Sequence, residues 1–462
     1  MNNNIQAFDT ILEKEDKSTL EFSLHSTEEL LKWLSEREKK TFVSLNLITL
    51  EDCKPWFYDN EQGMIRNLNN SFFQIQGIKQ FVDNELVNEQ PIIIQNEIGF
   101  LGIICRKING VWHYLMQAKI EPGNINIVQL SPTIQATKSN FTCKHGGREP
   151  RYLSYFKSMK SSNIIVDQIQ SEQSSRFYKK RNRNVIVSTE EEIEETDFHK
   201  WMTLRQIKEL MRIPNLVNMD TRTVLSCIPY VFHDMNENIP NITKKYIKKS
   251  ATTINIKTIN KIYNYINNLK MFDNSRTELV SIKELTSWNF KNDIICCKQK
   301  APFNVVFCNI EIEGREVTKW NQPLFRAEGK AVFGLICKQE KEGLEFLVKI
   351  TPEVGCFDNC EIGPSIQIEA GNETLKKDIV SDFFFNQLRK KKNVMVDVIL
   401  SEEGGRFYHE ENRNVILFVD NNELVDLPEN YIWSDYGTLN VLTQINNCLN
   451  IQLRNLLSLL EL

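Results

Sequence analysis

Lys119 and Glu121 stand two residues apart in the run QAKIE (117–121), with Gln117 two residues earlier. On a strand, residues spaced by two share a face. An ammonium there can polarise a carbonyl oxygen while a carboxylate moves a proton, the division of labour of acid–base catalysis. Glu172 and Tyr152 are further acid or base candidates. At an offset of 230, Lys119 and Glu172 have counterparts in Lys349 and Glu402, which also admits a structural role for both. Tyr152 and Tyr155 fall opposite Asp382 and Phe385 at that offset, so neither phenol is required by the fold.

A second group of residues suggests binding. Gln129, Ser131, Thr133 and Gln135 alternate with Val128, Leu130, Pro132, Ile134 and Ala136, the period of a strand with one buried face. Its other face carries amides and hydroxyls where a solvent face usually collects Lys and Glu. Either it is a neutral edge in water, or it meets a polyhydroxylated or nucleotide ligand. A comparison within the chain favours the ligand: at the offset of 230, Gln117 becomes Leu347, Gln168 becomes Val398, Gln170 becomes Leu400 and Glu121 becomes Thr351. An unpartnered buried amide costs about 1–3 kcal/mol, so a fold that accepts Leu and Val there needs a reason for Gln. In QSEQSSRFYKKRNRNV (170–185), Arg176, Arg181 and Arg183 with Lys179 and Lys180 could grip phosphates, since guanidinium forks match phosphate oxygens. The echo LSEEGGRFYHEENRNV (400–415) keeps Arg406 and Arg413 but has Glu411 in place of Arg181. Arg181 is therefore the expected phosphate ligand, and Arg176 and Arg183 keep a structural alternative, with Arg413 expected to bond the backbone of a turn. Nucleic-acid binding is a competing reading of the basic run.

These echoes belong to a duplication. Trp56 and Trp288, Cys105 and Cys337, and Trp201 and Trp433 are all 232 residues apart, a period the size of a domain. Each unit reads as short β-branched runs followed by helices, such as TLRQIKELMR (203–212) and TLNVLTQINNCL (438–449), so the class is α+β. We expect a first repeat over 1–234 holding the active copy, a polar connection over 235–270, and a vestigial second repeat over 271–462. The balance of 56 basic and 60 acidic residues gives no global pull toward nucleic acid or anionic lipid. Neither an apolar N-terminal core nor a run of about 18 apolar residues is present. A cytoplasmic protein without membrane contact is expected, with its 11 cysteines reduced. The six histidines form no ligand cluster and CFDNC (356–360) lacks histidine partners, so no metal site is expected. No GxGxxG loop follows a strand and no GxxxxGK is present.

The runs MQAKIEPGNINIVQLSPTIQATKSN (116–140), SEQSSRFYKKRNRN (171–184) and NMDTRTVLSCIPY (218–230), in this order in a duplicated chain, resemble the nucleotide-hexose 2,3-dehydratases of deoxysugar biosynthesis over roughly residues 20 to 460. The resemblance implies two tandem Nudix-superfamily-like domains, each a mixed sheet followed by helices, in an intertwined homodimer. It implies a dTDP-linked 4-keto-6-deoxyhexose as substrate, neither metal nor redox cofactor, and a 3,4-diketo-2,6-dideoxy sugar as product. The carboxylate box of Nudix hydrolases is missing, so pyrophosphate hydrolysis is not implied. On this resemblance Lys119 polarises the C4 oxygen and Glu121 handles a proton. The rival class is a Nudix-like module that binds a nucleotide sugar or RNA without transforming it.

Overall fold

The computed structural model describes residues 22–70, 72–137, 149–230, 242–299, 301–313, 317–341, 343–371 and 378–460. Its architecture is mixed α+β in two repeats. In the first, strands Gly99–Ile108 and Val111–Ile120 form a hairpin turned by Asn109 and Gly110. Both turn residues have positive φ (51° and 85°), which Asn-Gly supplies at little cost. Arg181–Ser188 runs parallel to Gly99–Ile108 and antiparallel to Ile164–Ser171, and His199–Thr203 lies on the far edge against Val111–Ile120. Strands Val332–Glu340, Gly343–Pro352, Glu411–Val419, Val394–Ser401 and Tyr431–Asp435 repeat this sheet in the second half. Helices Met219–Ser226 and Ile451–Ser458, one from each repeat, pack on each other. One apolar core holds Leu130, Val224 and Leu225 together with Leu453, Leu456 and Leu457.

Two smaller sheets exchange strands. Val43–Ile48 pairs with Phe303–Ile312 of the second repeat, and Ser275–Val280, at the offset of 232, pairs with Gln74–Val82 of the first. Helix Ile256–Phe272 covers the end of the stretch that the sequence assigns to a connection and runs two residues past it, and the same offset relates it to helix Thr27–Lys39. Among the described residues no helix is long and apolar enough to cross a membrane.

Ladder registers decide which residues correspond. Leu115 faces Ile104 and Trp201, and Leu347 faces Ile336 and Trp433. The offset is therefore 232 along this strand: Gln117 corresponds to Lys349, Lys119 to Thr351 and Glu121 to Glu353. This corrects the pairing of Lys119 with Lys349, and with it the changes of Gln117 to Leu347 and Glu121 to Thr351. A slip of two leaves every side chain on its own face, so hydrophobic alternation cannot reveal it. The offset of 230 does hold for Gln168 and Val398 and for Gln170 and Leu400. In the helices that follow, Phe156 lies over Gly102 and Phe384 over Gly334, which sets Tyr152 against Val380 and not Asp382.

The expected ten-residue polar strand is divided. Val128–Ser131 pairs with Val111–Ile120, and Ile134–Ala136 pairs with Gly99–Ile108. Over residues 128–137 it is buried on both faces, with Gln135 and Thr137 half-buried.

Reciprocal backbone clamps lock the repeats. Gly123 N–H donates to Gly404 O (2.7 Å) and His409 N–H to Gly123 O (2.9 Å); Gly355 N–H donates to Ser174 O (2.9 Å) and Lys179 N–H to Gly355 O (2.8 Å). A Cβ on Gly123 would lie 1.6 Å from Phe407 O, and one on Gly355 2.0 Å from Phe177 O. Gly123→Ala is expected to destabilise the protein by about 1–3 kcal/mol through overpacking, measured as a lower denaturation midpoint, whereas Gly110→Ala, with open space around it, loses only the turn preference.

Candidate active site

Lys119 and Glu121 reach a cavity of about 280 Å³ from the end of Val111–Ile120. Lys119 Nζ is 3.0 Å from Glu121 Oε1, and Gln135 Nε2 donates to the same oxygen over 3.0 Å. Asn218, the N-cap of Met219–Ser226, donates to Ser131 Oγ (2.8 Å) and Gln135 Oε1 (3.3 Å) and so orients that amide. Glu172 lines the cavity and accepts from Asn182 Nδ2 at 2.5 Å. Burial raises the Glu172 carboxyl, with Lys180 and Arg454 pulling it back.

Beyond Lys180 of the basic run, the sequence reading missed half of this cavity. Lys180 lines it, donates to Glu97 O at 2.5 Å and is lowered to about 8 by burial, against the pull of Glu172. Asp220, from the first turn of Met219–Ser226, is raised well above the carboxylate range by burial and then by Glu172, Glu403 and Glu121. Trp320, Gln322, Glu403, Gly405 and Arg406 come from the second repeat. Gln322 Nε2 donates to Gly405 O (2.8 Å), and Arg406 stacks over Phe73 at 4.3 Å and donates to Gln95 Oε1 at 3.3 Å. A signal existed: SEE at 401–403 stands against SEQ at 171–173, and NMDTR (218–222) against NIQLR (450–454).

The remaining expected ligand residues serve the seam or lie elsewhere. Gln129 Nε2 donates to Ser401 Oγ (2.7 Å), Gln168 Nε2 to Gln444 Oε1 (3.3 Å) and Gln170 Nε2 to Thr443 O (2.6 Å), all across the repeat boundary. Thr133 accepts from Ile104 N–H at 2.9 Å and donates to Leu115 O, while Ser131 takes the Asn218 bond. Their polarity therefore answers protein groups, which corrects the expectation of a ligand face. Gln117 and Tyr152 do not line the cavity; the Tyr152 ring meets His199 edge-on at 4.9 Å. Arg183 forks onto Asp167 (2.6 and 2.6 Å), as Arg413 does onto Asp397 (2.8 and 2.6 Å), so both are structural, and Arg413 bonds a carboxylate, not a turn backbone. The guanidinium of Arg181 lies 4.0 Å over the Phe357 ring. Arg176 lines the counterpart cavity, about 680 Å³, and is paired there with Glu369 at 2.7 Å.

The two cavities share a plan and differ in charge. Gln367 donates to Glu353 as Gln135 does to Glu121, and Gln90 Nε2 donates to Ser175 O (2.7 Å) as Gln322 does to Gly405. Yet Lys119, Lys180, Asp220 and Glu403 have Thr351, Glu410, Gln452 and Gln173 as counterparts. Arg406 forms no ion pair among the described residues, whereas its counterpart Arg176 is neutralised.

The NDP-hexose 2,3-dehydratase family model matches residues 27–228 and again 259–460. The chain belongs to the NDP-hexose 2,3-dehydratase family. It is 35% identical over 401 residues to the dTDP-4-dehydro-6-deoxy-alpha-D-glucopyranose 2,3-dehydratase of Saccharopolyspora spinosa, covering 84% of this chain and 82% of that protein. To the enzymes of the same name from Streptomyces violaceoruber and Amycolatopsis orientalis it is 33% and 30% identical, covering 92% and 94% of this chain and 95% and 89% of theirs. In this family member the second match begins within helix Ile256–Phe272.

Burial also raises five carboxyls around the two cavities: Glu361, Glu402 and Glu403 to about 7, Glu353 and Glu410 to about 8. Between pH 6.5 and 8 the folded state therefore binds more protons than the unfolded one, whose carboxylates are ionised. Stability must fall as pH rises through this window. Lys180, lowered to about 8, opposes this near the top of the window, one group against five. The denaturation midpoint is expected to be higher at pH 6.5 than at pH 8, and Glu410→Gln should flatten the slope.

Proposed function

We propose that the chain is a hydro-lyase that removes water across C2 and C3 of a dTDP-linked 4-keto-6-deoxyglucose, the reaction named for its curated relatives. The observation that carries this reading is the Lys119–Glu121 pair in the first cavity; in the second, Thr351 stands at the place of Lys119, and the lysine that does line it, Lys349, is paired with Asp378 at 3.1 Å. A proton at C3 is acidified by the C4 ketone. Glu121 removes it while Lys119 and its neighbours hold the developing C4 oxyanion, the kind of preorganised charge that contributes most in a water-poor site. The enolate then expels the C2 hydroxyl, which leaves as water once a second acid has protonated it. The resulting enol becomes the C3 ketone when C2 takes up a proton. No external electrons enter, so the chemistry asks for no redox partner. The first cavity is the working one in this reading, and the second repeat supports fold and assembly. A Nudix-like ancestry, a homodimer and a cytoplasmic setting belong to the same reading and rest on the sequence resemblance.

Following loss of 18 mass units (one water) from the 4-keto-6-deoxy nucleotide sugar tests the activity. An intact sugar after prolonged incubation would overturn it. Lys119→Met is expected to lower turnover by about 10²–10³, while Lys349→Met, at the counterpart of Gln117, leaves it unchanged; kcat from the mass assay checks both.

The diphosphate needs a cation that no carboxylate has already claimed, which Arg176 and Arg183 are not; of the two arginines of the echoed runs that meet this condition among the described residues, Arg181 and Arg406, only Arg406 lines the first cavity. Removing a charged hydrogen bond costs about 1.5–3 kcal/mol, roughly ten- to a hundredfold in affinity. Arg406→Gln is expected to weaken dTDP binding by that factor in calorimetry. Arg183→Gln, which breaks only the Asp167 fork, should bind like the parent.

A further inference from the structure

We propose that Glu403, delivered from the second repeat into the cavity of the first, is the acid that protonates the departing C2 hydroxyl. The inference rests on the dehydratase reading above. Three observations carry it. Glu403 lines the cavity together with Glu121, although the two lie in different repeats. Gly405 leaves room for it: a Cβ there would lie 2.2 Å from Glu403 Oε1, so the side chain folds back over a residue that has none. At the counterpart cavity both features are gone, since Gln173 replaces Glu403 and Ser175 replaces Gly405. One repeat has therefore kept a carboxyl and the space it occupies, and the other has kept neither.

The charges around it suit a donor. Glu121, at the end of Val111–Ile120, and Glu172, just beyond Ile164–Ser171, raise Glu403, while Arg406 and Lys119 lower it; burial is the largest influence and the outcome is about 7. Asp220, from helix Met219–Ser226, and Lys180 complete the set that faces it. A carboxyl poised there holds its proton in neutral solution and can release it.

The step balances. Glu121 takes the C3 proton, and that electron pair forms the enolate. As C4=O re-forms, the pair moves to make C2=C3, the C2–O bond breaks, and the oxygen leaves as water with the proton of Glu403. The enol hydroxyl then returns a proton to the Glu403 carboxylate while Glu121 gives its proton to C2. Both carboxyls end as they began.

Glu403→Gln separates the two proton transfers, and Gln173 already occupies the matching place, so the fold accepts the amide. With the full-length protein in deuterated water, the parent should eliminate water, and kcat should fall as pH rises through about 7. The variant should still exchange deuterium into C3 and bind dTDP as the parent does, with elimination lowered at least about a hundredfold and its high-pH limb gone. Gly405→Ser keeps the carboxyl but displaces it, and should slow elimination more than exchange. Elimination by Glu403→Gln within about threefold of the parent would overturn the assignment. So would loss of exchange together with elimination while dTDP binding persists, because Glu403 would then act on C3. Should the parent neither exchange nor eliminate, the dehydratase reading itself falls and this inference with it.

Discussion

The contact on which the rest depends is the backbone clamp between the repeats. Gly123 and Gly355 each press a main-chain amide against a carbonyl of the other repeat, at a separation that tolerates no side chain. These clamps hold the 403–408 segment over the first large sheet and the 173–178 segment over the second. Both cavities are therefore joint products. The first takes Lys119, Glu121 and Glu172 from one repeat and Gln322, Glu403 and Arg406 from the other. Buried arginines reinforce the seam: Arg222 donates to Ser401 O at 2.7 Å, and Arg454 to Ser171 O. A buried charge is costly without partners, and each of these arginines finds one in a main-chain carbonyl of the other repeat, which ties the two together there.

From two equivalent cavities, substitution has made one unlike the other. The shared elements are those that hold shape: the glutamine that bonds Glu121 or Glu353, the glutamine that reaches across the seam, and the arginine stacked on a phenylalanine. The elements that differ are charged or titratable side chains. The places of Lys119, Lys180, Asp220 and Glu403 are taken by Thr351, Glu410, Gln452 and Gln173, and both cations that line the second cavity, Lys349 and Arg176, are held in ion pairs.

Much of this was legible in the chain. Duplication, α+β class, family, and the convergence of Lys119, Glu121, Glu172 and Gln135 all follow from spacing and motif. What failed did so for physical reasons. A slip of two residues is invisible to strand alternation, so Lys119 was matched with the wrong lysine. Polar residues at a seam between repeats look like polar residues facing a ligand, because both exist to satisfy partners, and Gln129, Gln168 and Gln170 proved to face the seam. Glu403 carries no signal within its own repeat, and Arg406 reads there as a retained structural echo of Arg176, because both serve the cavity of the other repeat. Arg183 was ambiguous until its fork onto Asp167, repeated at Arg413, showed what it binds.

The exchanged strands also bear on how the chain is made. Val43–Ile48 leaves the ribosome long before its partner Phe303–Ile312, and Gln74–Val82 waits for Ser275–Val280. At about 5–20 residues per second, those edges stay unpaired for on the order of ten seconds or more. Open strand edges are templates for foreign pairing, and contacts so distant in sequence form slowly. An early edge of this kind survives by being short and mixed in character, and VSLNLI, with Ser44 and Asn46 between its apolar residues, fits that description. Synthesis from the N-terminus thus sets a demand on the sequence of Val43–Ile48 that the finished fold alone would not.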